Sequence, residues 1–238
     1  MEKIIYRAKT RGHFQNEWLN TWYSFSFADY YDRNRMNFGF LRVLNDDVIQ
    51  PSTGFGKHPH DNMEIITIPT RGELMHKDSM GHKQTIRENE VQVMSAGTGI
   101  FHSEFNENPT EEVKLFQIWI YPAVRNIKPR YEQKFFEPKE AQNQWQLLVS
   151  SFETKTGALN INQNAKISRT FLDIGKSVDY KLSEQSYGSF VFVVDGEVEI
   201  DNETIGKRDA IGIIGTENFD IKANAASYVL NIEVPARN

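Results

Sequence analysis

The sequence contains no cysteine. Disulfides, thiolate metal ligands and a cysteine nucleophile are therefore all excluded. No apolar run approaches the roughly 20 residues that a membrane-spanning helix needs. The opening stretch, Met1-Glu-Lys-Ile-Ile-Tyr-Arg-Ala-Lys9, has no long apolar segment of the signal-peptide kind. The expectation is a cytoplasmic protein that makes no use of a membrane. Basic runs are missing too, and the formal net charge of −5 offers no electrostatic footprint for direct binding to nucleic acid. Helical periodicity is thin; only Pro138–Trp145 reads as a short helix, with Pro138 in its first turn. Histidine is scarce: His13, His58, His60, His76, His82 and His102 are the full set, all in the first 102 residues.

What the chain does have is 39% hydrophobic residues, enough to bury a core without covalent staples. They fall into short runs rich in Val, Ile, Phe and Tyr, separated by Gly, Asn, Asp and Pro. Met63–Ile68, Glu90–Met94, Leu115–Tyr121, Phe190–Val194, Val198–Ile200 and Ala210–Ile214 are examples. Such lengths and spacings predict an all-β sandwich or barrel rather than alternating strands and helices. A polar, Pro-containing stretch from Arg125 to Gln146 reads as a linker between two halves. The halves echo each other: Glu64–Leu74 and Gly188–Val198 both read as strand, Gly turn and returning strand. A further run then leads to Gly97 in one and to Gly215 in the other.

Two segments carry the candidate chemistry, Gly56-Lys-His58-Pro-His60-Asp-Asn-Met-Glu64 and Gly97-Thr-Gly-Ile-Phe-His102-Ser-Glu104. Side chains two apart on a strand share a face, so His58 pairs with His60, and His102 with Glu104. Glu64 joins the first pair if Asp61–Met63 stays extended. Imidazoles with a carboxylate suit Fe, Mn, Co, Ni, Cu or Zn. His76 and His82, in the polar segment Met75–His82, are expected at the surface, and His13 in a local structural contact. Phe55, Phe101 and Met94 are read as barrel core, and would tolerate something flat and apolar if they line the lumen.

These segments resemble the two cupin motifs, and the residues between them resemble the pirin family closely. The matching strings are Arg11-Gly-His13, Ser24-Phe-Ser-Phe-Ala28-Asp-Tyr-Tyr31, Gly56-Lys-His-Pro-His60, Gly72-Glu-Leu-Met-His76-Lys-Asp-Ser79-Met-Gly81, Val91–Glu104 and Phe116-Gln-Ile-Trp119. The second half matches only the general cupin strand pattern. The interval Glu64 to Gly72 is one residue longer than the usual first cupin motif.

The resemblance implies a bicupin: two tandem jelly-roll β-barrel domains, residues 1–135 holding the metal and residues 136–238 holding none. Carried over by position, the metal ligands are His58, His60, His102 and Glu104, with Glu64 ranked second as the carboxylate. Transferring the spacing through the echo puts Leu182, Glu184, Asp220 and Lys222 at the equivalent places, and Leu and Lys cannot complete a transition-metal site. The implied cofactor is one divalent transition metal, Fe(II) first, with Zn, Ni, Mn, Co or Cu as alternatives. The implied activity is that of a quercetin 2,3-dioxygenase, acting on a small aromatic enol and dioxygen, with Glu104 also the catalytic base. The alternative is a non-enzymatic, iron-binding regulator of the pirin type, which in a chain without a basic patch needs a protein partner.

Overall fold

Branched and aromatic side chains suit the pleated surface of a sheet, and this chain folds almost wholly into strands. The computed structural model describes residues 1–153 and 156–236. The strands begin with β1 (Glu2–Tyr6), β2 (Gly12–Gln15), β3 (Leu19–Tyr23), β4 (Leu41–Ile49), β5 (Gly54–His60), β6 (Glu64–Arg71) and β7 (Glu73–Asp78). Next come β8 (Lys83–Arg87), β9 (Glu90–Ser95), β10 (Ile100–Phe105), β11 (Val113–Ile120) and β12 (Arg130–Phe135). The second half supplies β13 (Gln146–Ser151), β14 (Leu159–Ile161), β15 (Lys166–Leu172), β16 (Ser177–Lys181) and β17 (Tyr187–Asp195). It ends with β18 (Glu197–Ile200), β19 (Glu203–Gly206), β20 (Ala210–Ile214), β21 (Asn218–Ala223) and β22 (Ser227–Pro235).

Each half is a seven-stranded sheet facing a four-stranded one, and the strand orders correspond. The first half has β12-β9-β6-β11-β4-β3-β2 over β5-β10-β7-β8. The second has β1-β20-β17-β22-β15-β13-β14 over β16-β21-β18-β19. The echoed turns Gly72 and Gly196 occupy equivalent corners with φ of 75° and 84°, a backbone region open to Gly at no steric penalty.

Two features depart from the sequence expectation. The chain's first strand, β1, pairs antiparallel with β20 and so completes the sheet of the second half, although the division at residue 135 counts it with the first. The supposed linker contains β12, which pairs with β9 along its whole length and closes the first half's sheet. The short helix is one 3₁₀ turn, Pro138–Ala141, capped by the Glu137 side chain accepting from the Lys139 N–H.

The two large sheets pack back to back. Alternation along β11 sends Phe116, Ile118 and Ile120 into this shared layer and leaves Leu115, Gln117 and Trp119 facing the first barrel's interior. From the other side, Phe190 and Phe192 of β17 and Leu230 and Ile232 of β22 enter the same layer, with the Phe116 and Phe192 rings 5.4 Å apart. Both faces of these strands are buried, which is why their sequences read as continuous apolar runs.

The barrel interiors differ. That of the second is filled by Val191, Val193, Val198, Ile211, Ile221 and Val229, with Leu182 packed among them. Lys222, at the other transferred position, is exposed. The first interior is packed with apolar side chains at its ends, around Leu74 and Ile86 and around Met94 and Ile100. Between them lies a cavity.

Candidate metal centre and its cavity

The pairing of β5 with β10 sets the centre. In the antiparallel register His102 lies opposite His58, and Ile100 opposite His60. A bulge between His102 and Glu104 shifts the ladder by one residue, yet both side chains still face inward. The imidazole centroids of His58, His60 and His102 are 4.4–4.9 Å apart. A nitrogen from each of the three lies within 4.8 Å of the others. Glu104 lines the same cavity.

Electrostatics leaves the His60 and His102 rings neutral and their lone pairs available. Burial, with the neighbouring imidazoles, drives His102 down to about 2, and burial with His58 drives His60 to about 4. His58 donates from Nδ1 to the Gly56 carbonyl at 2.7 Å, which turns Nε2 inward as an acceptor. Neither nitrogen of His102 has a partner among the described residues. Glu104 moves the other way: burial raises its carboxyl to about 7, against the donors Gln117 Nε2 at 2.7 Å and Thr67 Oγ1 at 3.4 Å. Three imidazole nitrogens and one carboxylate oxygen lining one cavity are a donor set for a divalent transition ion.

The cavity above this floor has a volume of about 590 Å³. Phe14, Tyr23, Phe27, Tyr30, Phe55 and Trp119 give it apolar walls. The loop Phe27–Tyr30, held by reciprocal backbone hydrogen bonds of 3.0 Å, forms part of its rim. His13 also lines it, hydrogen-bonded to Asn20 at 2.7 Å and stacked on Trp22. Its local structural contact is therefore made at the cavity's edge.

Several placements were unforeseen. Asn62 takes φ 46°, so Asp61–Met63 turns instead of extending, and Glu64 leaves for a different sheet. There it accepts from Ser95 Oγ at 2.6 Å, and it does not line the cavity. Phe101 points outward with Lys57 Nζ over its ring, because it alternates with the inward His102. Met94 packs with Ile65 and Ile100, while Phe55 does reach the cavity. His76 is not a surface residue but fully buried, its ring centroid 5.3 Å from that of His102. It forms a second candidate donor group with His102 and Glu104.

Asp47 was missed altogether. It is a buried cavity-lining carboxyl hydrogen-bonded by Thr21 Oγ1, and burial, reinforced by the Glu104 and Asp46 charges, raises it to about 7. Asn45 Oδ1, Gln117 Oε1 and Trp119 Nε1 are buried without partners on residues that line the same cavity.

Known proteins match along the whole chain. Residues 6–120 fit the family model described as Pirin, and residues 148–234 that of the quercetinase C-terminal cupin domain. A quercetin 2,3-dioxygenase of Escherichia coli (strain K12) is 41% identical over 230 residues, spanning 96% of this chain and 97% of that protein. A pirin-like protein of Caulobacter vibrioides is 40% identical over 196 residues, 82% of this chain and 84% of its own. The crystal structure of the bacterial pirin YhhW from Escherichia coli in complex with nickel(II) superposes with a TM-score of 0.93 at 38% identity, covering 99% of this chain and 100% of that one. With its two cupin barrels and relatives matched from end to end, the chain belongs to the pirin family.

Proposed function

We propose that this chain is a metal-dependent dioxygenase of the quercetin 2,3-dioxygenase type, acting on a flavonol-like enol. The observation that carries this reading is the cluster of His58, His60 and His102 on the floor of a cavity that Glu104 also lines and that aromatic side chains wall. We assign these four as the ligands of one divalent transition metal, Fe(II) first. The unpartnered nitrogens of buried His102 support that fit, since a buried polar atom without a partner is unfavourable unless something else meets it. The nickel-bound Escherichia coli relative supports a divalent ion in the same fold. Bound there, the ion would supply Lewis acidity and a template for dioxygen.

The residues of the chain supply the rest. Phe14, Phe27 and Phe55 offer flat apolar contact to an aromatic ring system. Asn45 Oδ1 and Gln117 Oε1 are unpartnered acceptors for a substrate hydroxyl, and Trp119 Nε1 is an unpartnered donor for a substrate oxygen. Glu104, lining the cavity, would take the proton of a substrate hydroxyl and return it when product forms.

The test is oxygen consumption with a flavonol panel, using protein loaded in turn with Fe, Mn, Co, Ni and Cu. Oxygen uptake matched to loss of flavonol absorbance is the expected result. No uptake with any pairing overturns the enzyme reading in favour of an iron-binding regulator recognised by a protein partner.

A further inference from the structure

The hairpin β7–β8 and the turn that joins its strands carry groups without a role so far. His76 is buried on β7, and its Nε2 lies 3.3 Å from Asp78 Oδ2. The Asp78 carboxylate also accepts from His82 Nδ1 at 2.8 Å and from the backbone N–H groups of Met80 and His82. Tyr131, on β12, packs against both imidazoles, with ring centroids 4.8 Å from His76 and 4.9 Å from His82. Three elements thus hold this string in place behind the centre. Only its outer end, His82, reaches solvent, with 36% of its side chain exposed against none for His76 and Asp78.

Hydrogen-bond accounting gives the string a direction. A carboxylate can only accept, so Asp78 takes the Nε2–H of His76 and leaves Nδ1 of that ring a bare acceptor. Nδ1 is buried and has no partner among the described residues. Neither nitrogen of His102 has one either. One candidate donor atom each from His76, His102 and Glu104 lie within 4.8 Å of one another. A neutral imidazole that gives one nitrogen to a metal carries its hydrogen on the other, and that N–H needs an acceptor. Glu104 Oε1 is occupied by Gln117 and Thr67. His76 Nδ1 is an unused acceptor on a ring whose centroid is 5.3 Å from that of His102, so one hydrogen bond between the two rings would satisfy two orphaned atoms.

We propose, resting on the metal-centre reading above, that His76 is a positioning residue: its Nδ1 accepts the ring N–H of His102 and so fixes which His102 nitrogen faces the metal. Asp78 and His82 set the tautomer of His76, and Tyr131 sets the ring plane.

Cobalt(II) is the first probe, its affinity read by chelator competition and its coordination by the visible spectrum. His76→Leu should bind cobalt 10–100-fold more weakly than the unaltered protein, with an altered spectrum. His76→Gln, whose side-chain oxygen can also accept, should recover most of that loss. Unchanged affinity and spectrum in His76→Leu would overturn the proposal. Should that variant fold poorly, histidine-¹⁵N NMR of the unaltered, zinc-loaded protein decides. Expected are a proton on His76 Nε2 and a hydrogen-bonded proton on the His102 nitrogen that is not zinc-bound. A proton on His76 Nδ1, or zinc bound by His76 itself, overturns it. Uptake of neither ion by the unaltered protein overturns the metal centre and this inference with it, a failure distinct from the others.

Discussion

Glu104 has two roles in the proposed reaction, ligand and base, and an amide separates them. Glu104→Gln keeps size and one ligand oxygen but loses basicity. It should retain metal within a few-fold by elemental analysis, while turnover falls by about 10²–10⁴. Full turnover in the loaded variant would pass the base role to Asp47, a buried carboxyl that lines the same cavity. Asp47 itself makes a prediction about stability. Its folded value of about 7 exceeds the ordinary 3.8, so between these values the unfolded chain ionises it and the fold does not. Asp47 therefore withdraws stability as pH rises through that window and has no such effect below it. Denaturant titrations of metal-free Asp47→Asn should match the unaltered protein at pH 4. They should exceed it at pH 8 by up to about 4 kcal/mol, at about 1.4 kcal/mol per pH unit. A constant difference across pH would show that Asp47 is ordinary in the fold. Both Asp47 and His76 were within reach of a stricter reading of the sequence. Asp47 alternates with Val43, Asn45 and Ile49, and His76 lies two residues beyond buried Leu74, so each shares an inward face. Polar neighbours hid them, because composition suggests solvent where a cavity interior also wants polar groups.

The centre depends on how closely β5 and β10 approach, and Gly54 sets that distance. A Cβ there would lie 2.2 Å from the Glu104 carbonyl oxygen and 2.6 Å from Phe105 Cα, both backbone atoms that cannot yield alone. Gly54→Ala should cost about 2 kcal/mol or more and weaken metal binding by moving Glu104. Gly56→Ala, on the same strand with nothing within 4 Å of the added carbon, should be neutral within about 0.5 kcal/mol. Denaturation midpoints with and without metal check both; equal effects would detach the strand spacing from the site. At this scale much was legible. Ala210–Ile214 has the bounds read from its sequence, and the echoed Gly turns sit at matching corners. What escaped was the fate of polar strands. β12 has no apolar alternation to announce it, since its pairing with β9 is made by backbone groups. Glu64 misled because parity was carried across a turn, and one left-handed residue, Asn62, resets it.

For the whole molecule, the shared layer between the large sheets makes each barrel a wall of the other. Asp46 adds a polar tie across it, 3.2 Å from Arg11 on one side and 3.2 Å from Arg208 on the other. The second barrel depends further on β1, whose Tyr6 packs on Phe25 and Phe190. Deleting residues 2–6 should uncover the β20 edge, and hydrogen exchange of β20 and β17 amides should accelerate well before that of β4 and β11. Equal acceleration in all four would mean that the barrels open as one unit. The crossing of β1 also orders events in time. Its partner, Ala210–Ile214, is made roughly 200 residues later, about 10–40 s at usual synthesis rates. Through that interval the first barrel can assemble, while β1 waits unpaired. Strand β1 is thus among the last to dock, and its docking closes the sheet of the half made after it.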